Sequence, residues 1–250
     1  MADNPLEQFQ VHPVVELPQI GGVDLSITNA AAHMMLAVLV ILVVLNIAIS
    51  KASLVPGRLQ SIAELMYEFI AGMIRDIVGP EGMRFFPYVF TLFIFILTAN
   101  MLGMFSIFFT TTSHVAVTLS LALLTITIVI ITGLVRHGFG FFKLFAPSGL
   151  PLPLYILITP IEIISFLARP ITLAVRLFAN MLAGHVMLKI FGIFVISLGG
   201  LGGAAALSAL LPLGAAFAIT GLEFLVAFLQ AYVFAILTVI YLNDVVHMHH

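Results

Sequence analysis

Cysteine and tryptophan are both missing from this chain, and charge is scarce: 8% of the residues are Asp, Glu, Lys or Arg. Without cysteine there are no disulfides, no thiolate nucleophile and no cysteine-held metal. Without tryptophan, any aromatic belt at a membrane interface rests on tyrosine and phenylalanine. An ordinary soluble domain carries about 25% charged residues, whereas this chain is 62% hydrophobic over 250 residues. A soluble fold of that length cannot hide so much apolar surface, so lipid has to cover part of it. Nine basic residues, scattered singly in a chain of net charge -2, form no phosphate-binding patch, which excludes nucleic acid as a partner. The first basic residue is Lys51, after an acidic, proline-punctuated stretch with Asp3, Glu7, Glu16 and Asp24. A cleaved signal needs the opposite order, basic residues and then a prompt apolar core, so residues 1–31 are expected to remain as a tail.

What is present is apolar runs of membrane length, since about 20 residues cross a bilayer. The pattern predicts an all-α integral membrane protein forming a single membrane domain. A first span covers 32–49, and spans from about Tyr88 to Phe109 and from Val115 to Val135 form a helical hairpin over 88–135. Residues 152–198 and 204–243 are two longer apolar stretches, joined by Gly199-Gly200-Leu201-Gly202-Gly203. Forty helical residues reach roughly 60 Å, twice the hydrocarbon thickness. These stretches therefore either break, with Pro160, Pro170 and Pro212 as kinks, or cross steeply tilted; a tilted hairpin over 152–243 is expected. Residues 58–79 read as an amphipathic surface helix opened by a capping box, Ser61-Ile-Ala-Glu64. Lys51, Arg58, Arg75 and Arg84 fall in one loop, and Arg136 and Lys143 in another. By the positive-inside rule, five crossings follow, with the N-terminus outside and the C-terminus cytoplasmic.

Ionisable groups inside a span are costly and mark ion or substrate paths. The last hairpin carries Glu162, Arg169, Arg176, Lys189 and Glu223, with Asn180, His185 and Gln230 as neutral companions. Lys189 is near a span end and can snorkel. Glu162 and Arg169 lie near the cytoplasmic entrance, seven residues apart, and could simply pair. Arg176 is deeper and cannot lose its proton. Its burial costs at least ~2.5–3.5 kcal/mol, met either by internal carbonyls or by a partner charge. Glu162, Arg169, Arg176 and Asn180 fall on one helical side. His185 points to the opposite face and can exchange protons near neutrality. Glu223, Gln230 and Tyr241 share a face of the second helix. Counted from the glycine turn, His185 is level with Glu223, where a hydrogen-bonded pair is expected, and Arg176 is level with Gln230.

The run Arg169-Pro-Ile-Thr-Leu-Ala-Val-Arg176-Leu-Phe-Ala-Asn180-Met-Leu-Ala-Gly-His185 closely resembles the signature of subunit a of the F-type ATP synthases. Leu222-Glu223, Leu229-Gln230-Ala231-Tyr232-Val233-Phe234 and Thr238-Val-Ile-Tyr241-Leu resemble it as well, as do Val55-Pro-Gly-Arg58 and Val117-Thr-Leu-Ser120. The resemblance extends over most of the chain from about residue 30. It implies a proton-translocating subunit of the membrane sector, with two offset half-channels. Its partners would be a ring of c subunits carrying membrane carboxylates, b-type peripheral stalk subunits and the rest of the synthase complex, in a bacterial inner membrane. Arg176 maps onto the family's essential arginine, which faces the ring, depresses the pKa of an ionised c carboxylate and blocks direct leakage. Some members carry a carboxylate at the position of His185 and a histidine at that of Glu223; here the two are exchanged. His114 would stand in the outer entrance, where some members have acidic or amide residues.

No HExxH, GxSxG or glycine-lysine pair is present, so neither catalysis nor direct nucleotide binding is expected of the chain itself, and no cofactor or metal. His247, His249 and His250 at the C-terminus are read as adventitious. The rival reading is a stand-alone transporter or channel, which internal repeats would favour; none is seen.

Overall fold

In the computed structural model the described residues are 11–16, 26–50, 53–105, 109–145 and 152–247. Asp3, Glu7, Asp24, Lys51, His249 and His250 lie outside them. Six helices follow in order: α1 Asn29–Ser50, α2 Arg58–Ile77, α3 Phe86–Gly103, α4 Val115–His137, α5 Leu152–Gly199 and α6 Leu210–Val246. All but α2 are long and apolar enough to cross a membrane, five candidate spans among the described residues. An all-α membrane architecture is therefore what the chain adopts. The tail adds one feature that composition did not signal: β1 (Pro13–Val15) pairs antiparallel with β2 (Ile27–Thr28). Thr28 then caps α1, its Oγ1 accepting from the Ala31 N–H at 3.3 Å.

Two sequence expectations need correction, and of the two alternatives left open for the last long stretches one is not taken. The Ser61–Glu64 capping box does not start α2. Gly57 is the N-cap, and the Ser61 N–H already donates to the Gly57 carbonyl at 2.8 Å, one turn inside the helix. The span from Tyr88 does not run to Phe109; α3 stops at Gly103, whose carbonyl is taken by the Thr110 hydroxyl. The prolines do not break the last hairpin. α5 runs unbroken for 48 residues through Pro160 and Pro170, as buried or lipid-embedded helices tolerate. Pro212 sits in the first turn of α6, where its missing N–H would have had no partner within the helix. The glycine turn is present: Gly202 and Gly203 have φ of 71° and 58°, a left-handed backbone that favours glycine. A 3-10 segment, Gly203–Ala209, follows before α6 begins.

The helices divide into two compact units. Unit 1 comprises residues 1–42, 95–114 and 177–231; unit 2 comprises 43–94, 115–176 and 232–250. In unit 1, the buried Asn100 amide donates to the Ala227 carbonyl at 3.2 Å, joining α3 to α6. In unit 2, Tyr88 and Thr125 share a 2.8 Å hydrogen bond that joins α3 to α4, the expected hairpin partners. α2 buries Ile70, Ala71, Met73 and Ile74 and leaves Leu59, Ile62 and Leu65 exposed. The last turn of α6 is held by the end of α4. His137 bonds the Val245 carbonyl at 2.9 Å, and Arg136 donates to the Val246 carbonyl while pairing with Glu81. These basic side chains satisfy carbonyls that a helix end leaves open.

Among the glycines of this unit, Gly133 has the least room for a side chain. A Cβ there would lie 2.3 Å from Cδ2 of Phe141 and 2.8 Å from Cγ1 of Val245. Gly133→Ala is expected to lower stability by about 1–3 kcal/mol through overpacking, read as a fall in the thermal midpoint of the purified chain. Gly72→Ala, with nothing within 4 Å of its Cβ, is expected to leave that midpoint unchanged or raise it.

Candidate functional site

The polar residues of unit 1 gather where α5 and α6 run antiparallel. Asn180 Nδ2 donates to Gln230 Oε1 at 3.0 Å. One turn toward the glycine turn, Gly184 lies under the Glu223 carboxylate: a Cβ on Gly184 would be 2.3 Å from Glu223 Oε1. His185 is held at Nε2 by the Thr110 hydroxyl at 3.2 Å. Met104, Asn180, Met181, His185, Glu223 and Val226 line one small cavity. His114, in the turn after α3, stacks on Phe109 with ring centroids 4.9 Å apart. Burial pulls its pKa below the usual histidine range, which favours the neutral ring.

Two geometric expectations change. His185 and Glu223 do share a cavity, but neither carboxylate oxygen of Glu223 accepts a hydrogen bond among the described residues. The His185 nitrogen has gone to Thr110 instead. Gln230 is reached by Asn180, one helical turn from the position expected to lie level with it. Unit 1 also contains five buried polar atoms with no hydrogen-bond partner among the described residues: Asn100 Oδ1, Thr112 Oγ1, both oxygens of Glu223, and Gln230 Nε2. Leaving such atoms unsatisfied costs about 1–3 kcal/mol each, so their concentration in one unit requires a reason.

Unit 2 holds Glu162, Arg169 and Arg176, with Tyr241 and Asp244. Arg169 pairs with Asp244 at 2.9 Å, and its guanidinium lies over the rings of Tyr241 at 4.9 Å and Phe166 at 5.6 Å. The pairing of Arg169 with Glu162 is therefore not made; Asp244 is the nearer acid. Arg176 contrasts with Arg169 on every count. It is exposed, and it makes no hydrogen bond or ion pair among the described residues. The internal carbonyls that could have satisfied it do not do so. Arg169 is neutralised and covered within the chain, while Arg176, two turns on, presents a permanent charge outward from an apolar helix.

Sequence reasoning missed Thr110, Asn100 and Asp244. Thr110 is one of three consecutive threonines, and nothing in that run distinguishes the one that faces His185. Asp244 was legible as an acid three residues beyond Tyr241 on α6, but it falls past the end assigned to the span.

A polytopic helical membrane protein with ionisable groups inside its spans, among them a guanidinium, that of Arg176, with no ion-pair partner among the described residues, belongs to the ion-translocating class. Comparison with known proteins gives the family. The model for the ATP synthase A chain matches residues 31–243. The chain is 56% identical over 247 residues to ATP synthase subunit a of Mesorhizobium japonicum, covering 99% of this chain and 98% of the relative. It is 55% identical to that of Chelativorans sp. and 56% to that of Agrobacterium fabrum, each over 250 residues and the full length of both chains. The chain belongs to the ATP synthase A chain family.

The Gly184–Glu223 approach yields a direct test. Gly184→Ala has to displace the carboxylate and is expected to reduce proton pumping by the assembled complex. Gly192→Ala, on the same helix with nothing within 4 Å of its Cβ, is expected to leave pumping unchanged. Proton pumping by membrane vesicles, normalised to assembled complex, reads both.

Proposed function

We propose that this chain is the proton-translocating, non-catalytic a subunit of a rotary F-type ATP synthase in a bacterial inner membrane. The observation that carries the reading is Arg176, an exposed permanent cation on a span, with no hydrogen-bond or ion-pair partner among the described residues. A charge in that setting has to be met from outside the chain, and the chemistry that meets it is a carboxylate. The family resemblance supplies one, on each c subunit of a rotating ring. By helical spacing Arg176 shares its stripe with the exposed Ala179 and Ala183, whose small side chains let a neighbouring helix come close.

The half-channels follow from where the polar groups lie. Asn180, His185, Glu223 and Gln230 in unit 1, with His114 at the turn after α3, would carry protons from the outer side. The buried, partnerless polar atoms there are what a hydrated proton path needs, since water and passing protons supply the missing bonds. Glu162, Arg169, Asp244 and Tyr241 in unit 2 would serve release to the cytoplasm. Arg176 favours the ionised form of the ring carboxylate at the moment of exchange and keeps protons from crossing directly. All basic residues except Lys189 fall in unit 2. The positive-inside rule then places the ends of its spans on the cytoplasmic side, with the tail outside and the C-terminus inside. The exposed Leu59, Ile62 and Leu65 suit α2 to the membrane surface. The b-type stalk subunits are the remaining expected neighbours, and ATP chemistry belongs to other subunits.

Arg176→Ala is expected to abolish ATP-driven proton pumping while the complex still assembles; normal pumping by that variant would refute the reading. Orientation is tested with single cysteines. A cysteine at Val14 should react with an impermeant maleimide only from the outer face, and one at His247 only from the cytoplasmic face.

A further inference from the structure

The Thr110 hydroxyl stands between two partners. It donates to the Gly103 carbonyl at 3.2 Å and lies 3.2 Å from Nε2 of His185. Gly103 ends α3, so its carbonyl has no partner within the helix. Thr110 is only 6% exposed, which keeps bulk water from taking its place. The approach depends on glycine: a Cβ on Gly103 would lie 2.8 Å from Cγ2 of Thr110. On the other side, the Ser113 hydroxyl donates to the Thr110 carbonyl at 2.6 Å, as does the Ser113 N–H at 3.2 Å. Thr110 is thus fixed from both directions.

A hydroxyl has one hydrogen. With it given to Gly103, Oγ1 is left as an acceptor, so the hydrogen between Thr110 and His185 belongs to Nε2. The neutral imidazole then carries its lone pair on Nδ1. We propose that Thr110 is a positioning residue for proton transfer: it holds His185 as the Nε2–H tautomer, so that protons are gained and lost at Nδ1. The proposal rests on the reading of His185 as a proton relay. In the step itself, Nδ1 takes a proton to give the imidazolium, and the same N–H bond breaks on release. The bonds at Nε2 do not change. Loss from Nε2 instead would require the hydroxyl to turn from Gly103 toward the ring, leaving a buried helix-end carbonyl without a donor.

The test uses the whole synthase complex in inverted membrane vesicles, with pumping normalised to assembled complex. Thr110→Val keeps the branched shape and removes the hydroxyl; Thr110→Ser keeps the hydroxyl. Val is expected to lower ATP-driven pumping about tenfold, less than the roughly 10²–10⁴-fold contribution of an acid–base group itself because His185 remains, and Ser to stay within about twofold of the parent. In a His185→Gln background Val is expected to cause no further loss, because Thr110 acts through His185. Equal pumping by Val and Ser, or an equally deep loss from Val without His185, would overturn the proposal. Should Val impair assembly, Thr110→Ala is read in its place against Ser. Arg176→Ala is measured in parallel. If it still pumps, the functional reading fails; if it does not and Thr110→Val pumps normally, only the role of Thr110 fails.

Discussion

A guanidinium on a membrane-spanning helix must be solvated by something, because it cannot shed its charge and lipid offers no counter-ion. Two arginines on α5 meet that constraint in opposite ways. Arg169 is answered inside the chain by Asp244 and two aromatic faces. Arg176 is exposed and has no hydrogen-bond or ion-pair partner among the described residues. The length of α5, its continuity through two prolines and its slight burial follow the same logic. The helix leaves most of its length exposed and carries one open cation on its surface.

The polar residues divide by the kind of satisfaction they receive. In unit 2 two arginines close on acids of the same unit, Arg136 on Glu81 and Arg169 on Asp244, while Arg176 stays open. In unit 1 several buried polar groups are left open as well. Buried oxygens and nitrogens of Asn100, Thr112, Glu223 and Gln230 go without partners among the described residues, which is expensive in a static core and useful in a path for protons. Gly184 and Gly103 give this arrangement its shape. Each leaves out a side chain where another one, Glu223 or Thr110, comes close.

Much of this was legible in the sequence. The apolar runs gave the five spans, and the glycine turn gave the last hairpin. Helical spacing placed Asn180 and Gln230 at nearly the right register and put His185 and Glu223 in one cavity. What spacing could not settle was which atom bonds which. The His185–Glu223 hydrogen bond lost to a competitor, Thr110, from a different helix pair, and no periodicity within α5 or α6 encodes that choice. The same limit applies to Arg169, whose acid lies 75 residues away and not seven. Helix ends were misjudged for a related reason: the end of α3 is fixed by a side chain that returns from beyond it, and Ser61 looks like a cap only until Gly57 is seen to precede it.

Arg176 is proposed to be half of a site completed by another chain. A structure of the intact membrane complex tests that claim most directly. It is predicted to place the Arg176 guanidinium within about 4–6 Å of a carboxylate from a neighbouring subunit, the range over which an opposite charge governs ionisation. A guanidinium turned back onto an acid or carbonyls of its own chain, with no carboxylate of another subunit in reach, would contradict it.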